Sequence, residues 1–137
     1  MPQEEKRIKV LMVYHEADLG PAKAIFEALG SYPEIQLRVL GPEAGWNPFR
    51  QIMHRLPRYE KRGSYEIVSG KIFRKKRNCA NPYWSGFARE VRGFKPDIIH
   101  VMNELTSLVL FQGLLFRNFF HSQAKVLFWA QENLLDK

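Results

Sequence analysis

A chain of 137 residues supports one sizeable hydrophobic core and not two, so a single domain is expected and a two-domain mechanism would require further sequence. With 45% apolar and 26% charged residues, the composition is that of a globular protein and excludes a chain too polar to fold. The formal charge of +7 is local: Arg50 to Arg77 holds ten Lys or Arg against Glu60 and Glu66, a net of +8, and the other 109 residues carry −1.

A basic segment set into an otherwise neutral chain points to one anionic partner, whether phosphate, lipid headgroups or nucleic acid. One cysteine, Cys79, forms no internal disulfide, and no secretory leader pattern opens the sequence. A cytoplasmic location is therefore expected. The most apolar stretch, Leu105 to Phe120, is interrupted by Gln112, Arg117 and Asn118 and falls short of the roughly 20 residues that a membrane span needs, so it reads as a buried helix.

In chain order, Ile8 to Tyr14 is a nearly continuous apolar run, as expected of a parallel strand covered on both faces. A polar loop, His15 to Gly20, leads to Pro21, pre-organised for a first helical turn, and Ala24, Ile25, Ala28 and Leu29 recur at helical spacing until Gly30. Ile35, Leu37 and Val39 alternate with polar residues before Gly41-Pro42, which predicts a half-buried or edge strand. Residues 43 to 90 are read as a basic, variable insertion. Within it, Tyr65 to Phe73 predicts a small hairpin about Ser69-Gly70 or a bulged strand, and Trp84 to Val91 begins a helix ending by Gly93. Ile98 to Met102 is another apolar strand, the following helix is capped by Thr106 or Ser107, and Lys125 to Trp129 repeats the strand signature. The alternation predicts an α/β fold, a Rossmann-like parallel sheet with right-handed crossovers and flanking helices.

In such a sheet every strand-to-helix loop leaves at the carboxyl edge, where ligands bind. That places His15, Glu16 and Gly20, then Asn103 and Glu104, then Gln131, Glu132 and Asn133 along one rim. The helix beginning at Pro21 offers unpaired amides to a phosphate, but with GxGxxG and Walker patterns absent Gly20-Pro21 reads first as a tight turn with a helix start. His100 reads either as a hydrogen-bonded core histidine or as a ligand contact. Glu104 and Glu132 read as helix-start residues or as general acid and base. Trp46, Phe49, Tyr59, Tyr65 and Phe73 interleave the basic segment, but no RNA- or DNA-binding motif accompanies them, so nucleic acid is not the expected partner. Cys79 and the four histidines, His15, His54, His100 and His121, show no metal-ligand spacing, and no nucleophile elbow is present.

Three stretches, RIKVLMVYHEADLGPAKAIFEAL, KPDIIHVMNELTSLVLFQGLL and AKVLFWAQENL, resemble in order and spacing the N-terminal domain of family 4 glycosyltransferases of GT-B architecture. The resemblance implies retaining transfer of a sugar from a nucleotide-diphosphate sugar, with no covalently bound cofactor, to a glycan or lipid-linked acceptor held by this domain. It further implies that the chain is a truncated acceptor-side part, inactive without a C-terminal donor-binding domain or a separate chain supplying one. Gly20 matches the glycine-bearing loop near the donor diphosphate, where the family usually has paired glycines. His100 matches the first histidine of the family's strand-end pattern, Met102 stands where the second often lies, and Glu132 replaces a histidine common after the next strand. The candidate catalytic residues are thus Glu104 and Glu132, and the candidate substrate-binding residues are His15, Gly20, His100, Asn103 and Asn133. Arg74, Lys75, Lys76 and Arg77 are the candidate contacts to an anionic membrane surface, consistent with family members that act at the cytoplasmic membrane face. The alternative is a non-enzymatic Rossmann-like module that binds nucleic acid or another anion through residues 50 to 77.

Overall fold

A computed structural model describes residues 5–17, 20–47, 52–73, 82–83, 85–102 and 107–128. The strands are β1 (Ile8–Val13), β2 (Ile35–Pro42), β3 (Ala44–Asn47), β4 (Ile52–Arg55), β5 (Tyr59–Arg62), β6 (Tyr65–Gly70), β7 (Ile98–Val101) and β8 (Lys125–Phe128). The helices are α1 (Gly20–Gly30), α2 (Gly86–Phe94) and α3 (Leu108–Phe120). Six strands form one sheet in the order β5-β6-β2-β1-β7-β8, and β3 and β4 form a separate antiparallel pair. All pairings within the large sheet are parallel except that of β5 with β6. This is the expected Rossmann-like α/β architecture, with one antiparallel strand added at an edge.

Strand alternation divides the core into two layers. Val10, Met12, Leu37, Val39 and Ile67 face α1 and pack with its Ala22 and Phe26. Leu11, Val13, Leu40, Val68, Ile99 and Val101 face the opposite way and pack with Phe87 and Val91 of α2 and Val109 and Leu110 of α3. Helix α1 buries Ala22, Phe26 and Gly30, whereas Ala24, Ile25 and Ala28 of the predicted stripe are exposed. The Phe26 ring settles this orientation by packing between Tyr14 and Tyr65, with ring centroids at 6.3 and 5.6 Å.

The strand beginning at Ile35 is not an edge strand: β2 lies between β1 and β6 and continues through Gly41-Pro42. Its polar Arg38 is accommodated inside the sheet because Glu66, its cross-strand partner on β6, accepts from its Nε at 2.8 Å, while Glu90 of α2 accepts from Nη1 at 3.0 Å. The Arg38 guanidinium also stacks over the Phe94 ring at 4.3 Å. Burial alone would lower its pKa, but the two carboxylates outweigh that and raise it.

The 43–90 region supplies β6, an inner strand of the sheet, together with α2, which covers it. The hairpin turns at Gly63-Ser64, where Gly63 has φ +56°, and not at Ser69-Gly70, through which β6 runs in register with Gly41 and Pro42. Gly70 serves close packing instead of turning: a Cβ there would lie 3.0 Å from the Tyr83 ring and 3.2 Å from Gly86 Cα. Helix α2 passes Gly93 and ends at Phe94, which is buried, with Lys95 left-handed at its C-cap. Ser107 is the cap of α3, its hydroxyl accepting from Leu110 N at 3.1 Å.

Helix α3 is buried on one face only. Leu108, Phe111, Leu115 and Phe119 recur at helical spacing on the face opposite Val109, Leu110 and Gly113, and Phe119 is 75% exposed. No helix among the described residues is long and apolar enough to cross a membrane.

Candidate functional site at the carboxyl rim

The strand order creates a topological switch beside β1, because the chain proceeds from β1 through β2 to β6 in one direction and then crosses to β7 and β8 on the other side. Backbone bonds close the sheet at this point: Met102 N donates to Val13 O at 2.9 Å, and Tyr14 N donates to Leu40 O at 3.0 Å. The turn after β1 contains His15, which is 6% exposed and packs on the Tyr83 ring at 5.3 Å. Beyond it Glu16 accepts from the Tyr14 hydroxyl at 3.1 Å. Gly20 opens α1 in clear space, with nothing within 4 Å of where a Cβ would be, so its backbone is accessible without a glycine being sterically required.

His100 lies within β7, in register with Met12 and Leu127, and so belongs to the α1 side of the sheet. Its environment is half-buried and apolar, which lowers its pKa by desolvation. His15, by contrast, packs on Tyr83 in the layer facing α2 and α3. The two histidines are therefore held on opposite sides of the sheet and do not form one constellation. Asn103, Glu104, Glu132 and Asn133, and likewise Arg74, Lys75, Lys76 and Arg77, lie outside the described residues. No group of three or more His, Cys, Asp or Glu side chains suited to a metal occurs among the described residues.

Tyr83 was not singled out by sequence patterning, yet it is the largest fully buried side chain among the described residues. Its hydroxyl has no hydrogen-bond partner among the described residues, and desolvation pushes the phenol far above its ordinary pKa. Both Tyr83 main-chain groups are held by Gln112 of α3, which accepts from Tyr83 N at 2.8 Å and donates to Tyr83 O at 2.6 Å. An isolated bridge, Ile72 with Tyr83, and the bond from Phe73 N to Pro82 O at 2.8 Å then join the two ends of the segment that contains Arg74 to Arg77. The only sequence signal for Tyr83 was an aromatic beside Pro82, which does not distinguish a buried ring from an exposed one.

Among the described residues, two of the cavities lie at opposite ends of the strands. One of about 660 Å³ opens at the amino ends and is lined by Arg7, Lys9, Lys95 and Asp97 among others. Three of its polar side chains are engaged in holding the fold: the Asp97 carboxylate accepts from Lys9 N at 2.8 Å, Lys9 Nζ donates to Phe94 O at 3.4 Å, and Arg7 donates to the Pro33 and Ile35 carbonyls. The second, of about 480 Å³, opens at the carboxyl ends of β2 and β6 and is lined in part by Glu43, Arg58, Lys71 and Arg89.

Fold and strand order together define a Rossmann-like α/β domain, a class of sheet in which the carboxyl side is the usual ligand edge. No family model, curated protein or solved structure matches the chain.

Proposed function

We propose that this domain is the acceptor-side half of a retaining glycosyltransferase that moves a sugar from a nucleotide-diphosphate sugar to a glycan or lipid-linked acceptor. The observation that supports this reading is the strand order, which puts the topological switch between β1 and β7, where open parallel sheets bind ligands, next to the turn that contains His15 and leads to the α1 amino terminus. The three sequence stretches that resemble the family 4 N-terminal domain contain, in order, β1 with α1, β7 with α3, and β8. In this reading Glu104 and Glu132 supply acid–base chemistry beyond β7 and β8, and the donor half comes from a further domain or a separate chain. Action in the cytoplasm at an anionic membrane face, through Arg74 to Arg77, belongs to the same proposal.

The test is transfer from a panel of UDP- and GDP-sugars to a lipid-linked acceptor fraction, with the domain alone and with a donor-binding domain supplied. Transfer is expected only in the second case, with retained anomeric configuration and a loss of about 100-fold or more in E104Q or E132Q if either is the acid–base group. Absence of transfer, together with salt-sensitive nucleic-acid binding, would favour the anion-binding module instead.

A further inference from the structure

The cavity at the ends of β2 and β6 combines features that the sheet itself does not need. Its walls are fixed by backbone bonds: Glu43 N donates to Gly70 O at 2.8 Å, Leu56 N donates to Glu43 O at 3.0 Å, and Ser69 N donates to Arg58 O at 3.3 Å. Its floor is the amino terminus of α2, brought against the end of β6 by a glycine pair, since a Cβ on Gly86 would sit 2.8 Å from Gly70 Cα. Ser85, at the N-cap of this nine-residue helix, makes no side-chain capping bond, so it leaves the first-turn amides uncapped.

Three cations line this floor and its walls. Arg89 is held in place, with Nε donating to Glu90 at 3.0 Å and Nη2 to Ser69 O at 3.1 Å. Arg58 and Lys71 are exposed and their side chains make no ion pair among the described residues. One carboxylate, Glu43, shares the cavity. One oriented guanidinium, two cations with no ion pair among the described residues and first-turn helix amides that the Ser85 side chain does not cap surround an open volume, which suits a tetrahedral dianion. At about 480 Å³ the space exceeds a bare phosphate and falls in the range of small-molecule sites. Glu43 is then available to accept from a hydroxyl on the group carrying the phosphate.

We infer that this cleft is a binding site for a phosphate ester with a hydroxylated carrier, held by Arg58, Lys71, Arg89 and the amino terminus of α2. The site deepens the transferase reading by giving its acceptor a chemical class. Its binding test uses no donor, however, so a failure here leaves the transferase question to the transfer assay. The chemistry is common to a soluble phosphosugar and to a phosphorylated lipid headgroup.

The experiment is amide chemical-shift titration of the domain with glucose 1-phosphate and with inorganic phosphate, for the parent chain, R58A/K71A and a K61A control on β5. Saturable shifts at Gly70, Gly86 and Phe87 are expected, stronger for the ester, weakened about tenfold or more in the double variant and unchanged in K61A. Both substituted positions are exposed, and retained spectral dispersion establishes that the double variant is folded. Competition by vesicles of phosphatidylinositol 4-phosphate in phosphatidylcholine, whose headgroup has a phosphate monoester on a hydroxylated ring, assigns the ligand to a lipid headgroup; failure to compete assigns it to a soluble ester. No saturable shift at these amides, or equal affinity in R58A/K71A, overturns the site.

Discussion

The two ends of the sheet solve the same packing problem differently. At the β2–β6 end the sheet is covered by α1 on one side and α2 on the other, and the outer position is taken by β5, whose YEKR sequence presents polar side chains to solvent. Natural sheets blunt an edge in this way. At the β7–β8 end the outer strand is KVLF, with Leu127 and Phe128 49% and 43% exposed, and α3 turns a second apolar face outward. The first end is stabilised partly by charged residues drawn inward, and the second leaves apolar residues in solvent. Hydrophobicity of a segment therefore does not by itself report burial here; the neighbours that a segment meets decide it.

The sharpest separation should come from two phenylalanines. Phe26, 1% exposed between Tyr14 and Tyr65, is expected to lose about 3–5 kcal/mol on replacement by alanine, whereas F119A should change stability by no more than about 0.5 kcal/mol. Denaturant unfolding of both variants measures the contrast, and similar losses would erase the distinction between the two ends. Replacing Arg38 with methionine leaves Glu66 and the buried Glu90 without their shared partner. A loss of about 1–3 kcal/mol is expected after allowing for the partial exposure of Arg38, with Arg89 still bonded to Glu90.

A smaller effect of opposite sign is expected at Tyr83. Its buried hydroxyl has no partner among the described residues, so Y83F should raise the unfolding free energy by about 1 kcal/mol; a loss would mean that the hydroxyl is satisfied in solution. The smallest effect concerns His100. Desolvation lowers its pKa in the folded state, so the unfolded chain binds the proton more readily and stability falls as pH drops below the unfolded value of about 6.5. H100Q should flatten that part of the thermal-stability profile, and an unchanged profile would assign the acid sensitivity to other groups.

Much of the fold was legible because a buried parallel strand leaves a strong mark. The runs at Ile8, Ile98 and Lys125 became β1, β7 and β8, and Ser107 capped α3 as its sequence position suggested. What misled was polarity that tertiary partners neutralise. Arg38 made an inner strand look like an edge, and Ser69-Gly70 looked like a turn although small residues are required there by the approach of α2. The site was less legible. His15 reached the rim as expected, but strand parity set His100 on the other side of the sheet, and Tyr83 acquired its position through Gln112, 29 residues away. Local periodicity contains no record of such a contact.

Ligands are expected to meet this domain at the carboxyl ends of its strands, although a larger cavity opens at the amino ends. An amide chemical-shift map recorded with glucose 1-phosphate tests this most directly. Perturbations are expected at Gly70, Gly86 and Phe87, with Lys9, Lys95, Asp97 and His121 silent. Perturbations centred on that second group would contradict it.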